Sequence, residues 1–103
     1  MKETFKHIDI ARYLETESDI QLFLEEVAET GTVQDFISAV GTAARAKGMS
    51  EIAKQAHVSR ESLYRSLSEH GKPQFGTIAK VVQSLGCRLS VVPLENHTHV
   101  KSA

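Results

Sequence analysis

The sequence has few of the features that build crosslinks, membrane spans or signal peptides. Its 103 residues include one cysteine, two prolines and no tryptophan. A single cysteine, Cys87, cannot form an internal disulfide, so we expect a reducing compartment. The apolar runs are too short to cross a bilayer, and the N-terminal segment lacks the hydrophobic stretch of a signal peptide. We therefore expect a cytoplasmic protein.

The composition is typical of one small globular domain. Hydrophobic residues make up 41% of the chain and charged residues 24%, which argues against wholesale disorder. We expect a single domain over residues 1–103. Its expected parts are an acidic N-terminal helix at 16–31, a helical core at 32–86, a short strand at 87–94 and a flexible tail at 95–103. Dimerisation would help so short a chain to bury its surface.

The net charge of −1 hides a strong asymmetry along the chain. Residues 1–36 carry three bases and nine acids, a net of −6, whereas residues 44–72 carry six bases and three acids, a net of +3. An acidic first third joined to a basic middle suggests two different partners. The alternative is that both segments are ordinary solvated faces.

Two helices are predicted in the first half of the chain, after an irregular stretch at residues 1–15. Thr16 and Thr32 each stand three residues before an aspartate, which is the pattern of a capping box. Apolar residues at helical spacing follow each threonine. Gly31 and Gly48 come where the two helices should end. The very short link indicates that these helices pack together.

Three shorter helices and one strand are predicted in the second half. Ser50 and Ser59 are expected to cap the third and fourth helices, and a fifth runs from about Gln74 to Leu85. Residues 87–94 alternate in the manner of a strand. Because a lone strand leaves its backbone unpaired, we expect it to pair with its copy in a dimer. The residues of the fifth helix expected to face inward are Phe75, Ile78, Ala79, Val82 and Leu85.

The most informative stretch is residues 49–68, MSEIAKQAHVSRESLYRSLS. Two short capped helices joined by three or four residues are typical of a helix-turn-helix, and Ile52, Ala56 and Leu63 would form part of the seam between them. The second helix would present its side chains to the bases of DNA, and the first would contact phosphates. The predicted DNA-binding residues are Ser50, Lys54, Ser59, Arg60, Glu61, Tyr64, Arg65 and Ser68.

This stretch resembles the helix-turn-helix of Xre-type DNA-binding proteins, and more narrowly that of HigA-like addiction-module antidotes. Matching pieces elsewhere are DIARYL at 9–14, AARAKGM at 43–49, GKPQFGT at 71–77 and LGCRLSV at 85–91, so the resemblance covers roughly residues 8–92. It implies an all-α fold, namely a five-helix Xre/lambda-repressor-like helix-turn-helix domain with a short C-terminal strand. One departure is His57, which stands where the turn usually carries glycine; histidine tolerates a left-handed backbone better than most residues.

The resemblance also implies a function. Such antidotes are antitoxins of type II toxin–antitoxin modules. They bind and repress their own operator DNA as a homodimer, and they neutralise a cognate toxin, typically a RelE/HigB-like ribonuclease. Because a ribonuclease that attracts RNA is usually basic, we expect the acidic first third to bind it. The candidate toxin-binding residues are Glu25, Glu26 and Glu29.

Several of these residues also have a purely structural interpretation. Glu61 can form an ion pair with Arg65 one turn along its own helix, which is the interpretation we favour. Tyr64 can be a half-buried residue of the core. Cys87 is expected to pack as a small hydrophobe, while His97 and His99 are too few for a metal site. No spacing groups a nucleophile with a base, so we expect no enzyme, no catalytic residues, no metal and no cofactor.

Two other functions compete with the antitoxin. One is a stand-alone Xre-type transcriptional repressor. The other is a protein-binding adaptor whose helix-turn-helix no longer contacts DNA. A small basic protein encoded beside this chain would favour the antitoxin. Binding that weakens steeply with salt would distinguish a DNA-binding protein from an adaptor, because phosphate contacts release counterions.

Overall fold

The computed structural model of the chain describes residues 7–68 and 70–95. Within these ranges the fold is all-α, as predicted, but with a sixth helix. The described ranges contain no helix with both the length and the apolar character that crossing a bilayer needs. His97 and His99 lie outside the described residues. The helices are α1 (His7–Tyr13), α2 (Glu17–Thr30), α3 (Val33–Lys47), α4 (Met49–Ala56), α5 (Arg60–Ser66) and α6 (Phe75–Ser84).

Reciprocal capping boxes start α2 and α3, which confirms both sequence predictions. The hydroxyl of Thr16 accepts a hydrogen bond from the Asp19 N–H at 3.1 Å, and Asp19 Oδ2 accepts from the Thr16 N–H at 3.0 Å. Thr32 and Asp35 repeat the arrangement at 3.0 and 2.9 Å. Gly31 closes α2 between the two boxes by donating its N–H to a carbonyl of the last turn. The caps thus define the short link between the two helices.

The core is built around α3, which contacts α1, α2, α4 and α6. Val40, Ala43 and Ala44 are fully buried on this helix. Gly41 is buried beside them, and a Cβ added to it would lie only 2.9 Å from the carbonyl oxygen of Leu67, just beyond α5. Small side chains on α3 therefore allow the end of α5 to approach closely, and this contact helps to position α5.

Two predictions were wrong at the ends of the chain. Residues 7–13, expected to be irregular, form α1, which packs against α3. The predicted strand at 87–94 is absent, and no other strand occurs in the described ranges. A strand needs a second strand to satisfy its backbone, and the described part of the chain supplies none.

Two details of the shorter helices also differ from prediction. Gly48 ends α3 and also precedes α4 as its N-cap, with a φ of 126° that suits glycine. Ser50 consequently lies inside α4 and does not cap it. Phe75, expected to face inward, is 76% exposed at the start of α6, and Val81 is buried on that helix instead. Ile78 and Val82 are buried as predicted.

Candidate nucleic-acid interface

Helices α4 and α5 are joined by a tight connection over residues 57–59. His57 has φ 61° and ψ 40°, the left-handed conformation expected for this position. Its N–H donates to the Lys54 carbonyl at 3.2 Å, and the Val58 N–H donates to the Ala53 carbonyl at 3.0 Å. These bonds close α4 at the point where the chain turns toward α5. Histidine thus adopts here the left-handed conformation that glycine favours at the end of a helix.

A serine cap starts α5, as predicted. Ser59 Oγ accepts a hydrogen bond from the Ser62 N–H at 3.0 Å, while Ser68 Oγ donates to the Arg65 carbonyl at 2.9 Å. A hydroxyl has one proton to donate. The Ser59 proton is therefore not used by the cap and can bind a phosphate, whereas the Ser68 proton is already engaged at the end of the helix.

The α4–α5 pair has a buried apolar side and an exposed polar side. Ile52, Ala56 and Leu63 are fully buried and Ala53 is 4% exposed, which confirms the predicted seam. Burial of these side chains sets how the two helices lie against each other. All eight side chains predicted to contact DNA are exposed on this pair and its flanks: Ser50, Lys54, Ser59, Arg60, Glu61, Tyr64, Arg65 and Ser68.

An aromatic contact orders one of the arginines. The Arg60 guanidinium lies over the ring of Tyr64, with its carbon 5.6 Å from the ring centroid. Tyr64 is 43% exposed, so it is not part of the buried core. A cation–π contact uses the face of the guanidinium. The N–H edge, which pairs with base edges or phosphates, is not consumed by this contact.

The exposed side of the α4–α5 pair carries more basic side chains than acidic ones. Lys54, Arg60 and Arg65 are exposed there, as is Lys72 in the loop that follows α5. The described acidic side chains there are Glu51, whose Oε2 accepts a 2.7 Å hydrogen bond from the Gln55 amide, and Glu61. The surface is therefore positive on balance, as binding to phosphates requires.

Sequence reasoning missed two glycines that hold the end of α5. A Cβ added to Gly71 would run into the carbonyl oxygens of Ser66 and Arg65, and the Gly71 N–H donates to the Ser68 carbonyl at 3.0 Å. Gly41 on α3 is the second glycine, since an added Cβ there would lie 2.9 Å from the Leu67 carbonyl oxygen. The sequence does contain a signal for Gly41, since glycine inside a helix is unfavourable by about 1 kcal/mol unless something needs the space.

The candidate toxin-binding residues lie on a different helix. Glu25, Glu26 and Glu29 are exposed on α2. Glu25 is also close enough to Cys87 to act on it: burial raises the pKa of the Cys87 thiol, and the negative charges of Glu25 and Glu17 raise it further. Cys87 packs against the core, as predicted. In the described ranges, no group of three or more His, Cys, Asp or Glu side chains could hold a metal ion.

Comparison with known proteins decides the family. A family model described as "Probable addiction module antidote protein" matches residues 4–93. The chain belongs to this family. An uncharacterized protein of Haemophilus influenzae (strain ATCC 51907 / DSM 11121 / KW20 / Rd) is 42% identical to this antidote-family chain over 91 residues, which is 88% of this chain and 94% of the relative. No solved structure matches the chain.

Membership of the antidote family confirms the broader part of the expected resemblance. The match extends from α1 to beyond α6, so it covers both the α4–α5 pair and acidic α2. An antidote of an addiction module acts against a toxin, and the family thus implies a toxin partner in general.

Proposed function

We propose that this antidote-family protein is the antitoxin of a type II toxin–antitoxin module. It binds operator DNA as a homodimer through an Xre-type helix-turn-helix and represses its own operon. It neutralises a cognate RelE/HigB-like ribonuclease by direct binding. The observation that carries the DNA-binding half is the exposed, positive side of the α4–α5 pair, where all eight predicted contacts are accessible.

Each part of that surface has a distinct role in the proposal. Helix α5 is the recognition helix: Arg60 and Arg65 donate to base edges, guanine above all, because a guanidinium can pair bidentately with guanine. Lys54 and Ser59 bind phosphates and hold the helix in register. In a two-fold dimer, the two copies of α5 would lie about 34 Å apart, or a multiple of that, on a palindromic operator.

Fluorescence anisotropy with a labelled duplex from the chain's own upstream region tests this half. Arg60→Ala should weaken operator binding by about 5-fold to 150-fold and relax selectivity at one base pair. Lys54→Gln should lower the salt dependence by about one phosphate contact. Arg12→Ala is the matched control, since Arg12 is an exposed arginine on α1. Equal affinity for the operator and a scrambled duplex would instead favour the adaptor.

The toxin-binding half of the proposal rests on the negative charge of the N-terminal third of the chain. The first 36 residues have a net charge of −6, and Glu25, Glu26 and Glu29 are exposed on α2. Complementary charge speeds the encounter with a basic ribonuclease. Reversing all three to lysine should slow association with the toxin, sought as a small basic protein encoded beside this chain, about tenfold or more at low salt. Unchanged association at low salt would refute this role.

A further inference from the structure

The segment after α6 combines exposed apolar side chains with an unpaired backbone. Val91 is 95% exposed, Val92 74% and Leu94 63%. Within the described ranges, residues 88–92 form no backbone–backbone hydrogen bond. Free N–H and C=O groups beside exposed valines are the features of a sheet edge that can accept another strand.

The start of this segment is anchored and has the periodicity of a strand. The side-chain amide of Gln21 on α2 donates to the Gly86 carbonyl at 3.3 Å. Beyond that bond, Cys87 and Leu89 are half-buried against the core, while Arg88 and Ser90 are exposed. An inward–outward period of two residues is that of a β-strand. Residues 87–90 therefore have strand periodicity without a second strand beside them in the described ranges, whereas Val91 departs from the alternation and is exposed.

Acidic side chains of α2 lie at the start of the segment, beside Gly86 and Cys87, and indicate the charge of its partner. Glu17 lies so close to Gly86 that a Cβ added there would be 2.5 Å from Glu17 Oε2. The negative charge of Glu25, two turns along α2, acts on Cys87. A basic protein would meet complementary charge at this position.

We propose that residues 88–92 form a docking strand for a basic protein with a free sheet edge. The partner adds its edge strand to this segment through backbone hydrogen bonds, and α2 attracts its basic surface. This inference rests on the proposed function, since the partner it names is the toxin. Pro93 lacks an N–H and marks the end of the pairing.

Proline substitutions at successive residues test the backbone pairing, because successive N–H groups of a strand point to opposite edges. Ser90→Pro and Val92→Pro remove donors from one edge, and Val91→Pro removes a donor from the other. The assay is affinity for the small basic protein encoded beside this chain, measured by calorimetry. Variants that remove a donor from the paired edge should bind the basic protein about tenfold or more weakly, since one lost hydrogen bond corresponds to roughly a tenfold change in affinity. Variants at the other edge should bind it nearly as well as wild type.

The outcomes separate this inference from the proposed function. If wild type binds the basic protein and the three variants bind equally well or equally badly, backbone pairing is wrong and the proposed antitoxin role stands. If wild type does not bind, both fail. If the variants lose dimer mass in sedimentation while still binding the basic protein, the segment pairs with a second copy and the docking strand is wrong. Circular dichroism and thermal melts of each variant establish that it folds.

Discussion

A methyl group added at Gly41 should destabilise the fold, although alanine is the better helix former. Gly41 lies inside α3, where alanine is normally favoured over glycine by about 1 kcal/mol. The new Cβ would lie 2.9 Å from the Leu67 carbonyl oxygen, whereas ordinary contact begins at 3.4 Å. The obstacle is a backbone atom, which cannot rotate away as a side chain does. The end of α5 must therefore move away from α3.

The net effect follows from two opposing terms. Overpacking of this kind costs about 1–3 kcal/mol, and the helix-propensity gain offsets about 1 kcal/mol of it. The expected net loss is up to about 2 kcal/mol, and a loss of 1 kcal/mol lowers the Tm of a domain this size by about 4–8 °C. Gly76→Ala is the matched control, because Gly76 is in α6 with nothing within 4 Å of an added Cβ.

Urea and thermal unfolding followed by circular dichroism measure both variants. Gly76→Ala should stabilise the protein by up to about 1 kcal/mol, and Gly41→Ala should destabilise it. The opposite signs are the result to look for, since both changes add the same methyl group to a helix. Equal stabilisation by the two would refute the close approach of α3 and the end of α5, and with it the argument that α3 positions α5.

Three further changes test local features of the fold. His57→Gly should stabilise the protein by up to about 1 kcal/mol in urea unfolding, because glycine adopts the left-handed conformation at no steric cost; destabilisation would show that the imidazole makes a contact of its own. Backbone N–H groups of Thr16 and Glu15 hold the pKa of Asp19 below its usual 3.8. Its stabilising effect is therefore present above the unfolded-state pKa and is lost as pH falls through the lower folded-state value. Asp19→Asn should accordingly destabilise at pH 7, and its difference from wild type should shrink below about pH 4; a constant difference would contradict the cap. Tyr64→Ala should weaken operator binding in anisotropy more than Tyr64→Phe, which keeps a ring beneath Arg60; equal losses would point to the hydroxyl instead.

Local sequence signals predicted the features that depend on neighbouring residues. Thr16, Thr32 and Ser59 cap their helices because each side chain accepts a hydrogen bond from the backbone N–H three residues along the chain. The left-handed backbone of His57 was predicted from the resemblance, because the turn at this position usually carries glycine. The exposure of the predicted DNA contacts followed from the spacing of the apolar residues Ile52, Ala56 and Leu63. These residues define the buried side of the two helices, and the polar residues lie on the opposite side.

The errors arose where a neighbouring cap or a tertiary contact decides the outcome. Ser50 has the right chemistry for a cap, but Gly48 already starts α4 two residues earlier. Phe75 fits the helical spacing of α6, yet it lies at the first turn, beyond the reach of the core. The 87–94 segment has the alternation of a strand, but pairing depends on a second strand that the described part of the chain does not contain. Long-range complementarity of this kind cannot be read from local pattern.

The most direct test of two separate binding surfaces is to assay two variants for both activities. One variant is Arg60→Ala/Arg65→Ala on α5, and the other carries Glu25→Lys, Glu26→Lys and Glu29→Lys on α2. Each is titrated by anisotropy against the operator duplex and against the labelled basic protein encoded beside this chain. We expect the α5 variant to lose operator binding and keep the protein partner, and the α2 variant to do the reverse. Loss of both activities in either folded variant would contradict the assignment of DNA to α4–α5 and of the toxin to α2.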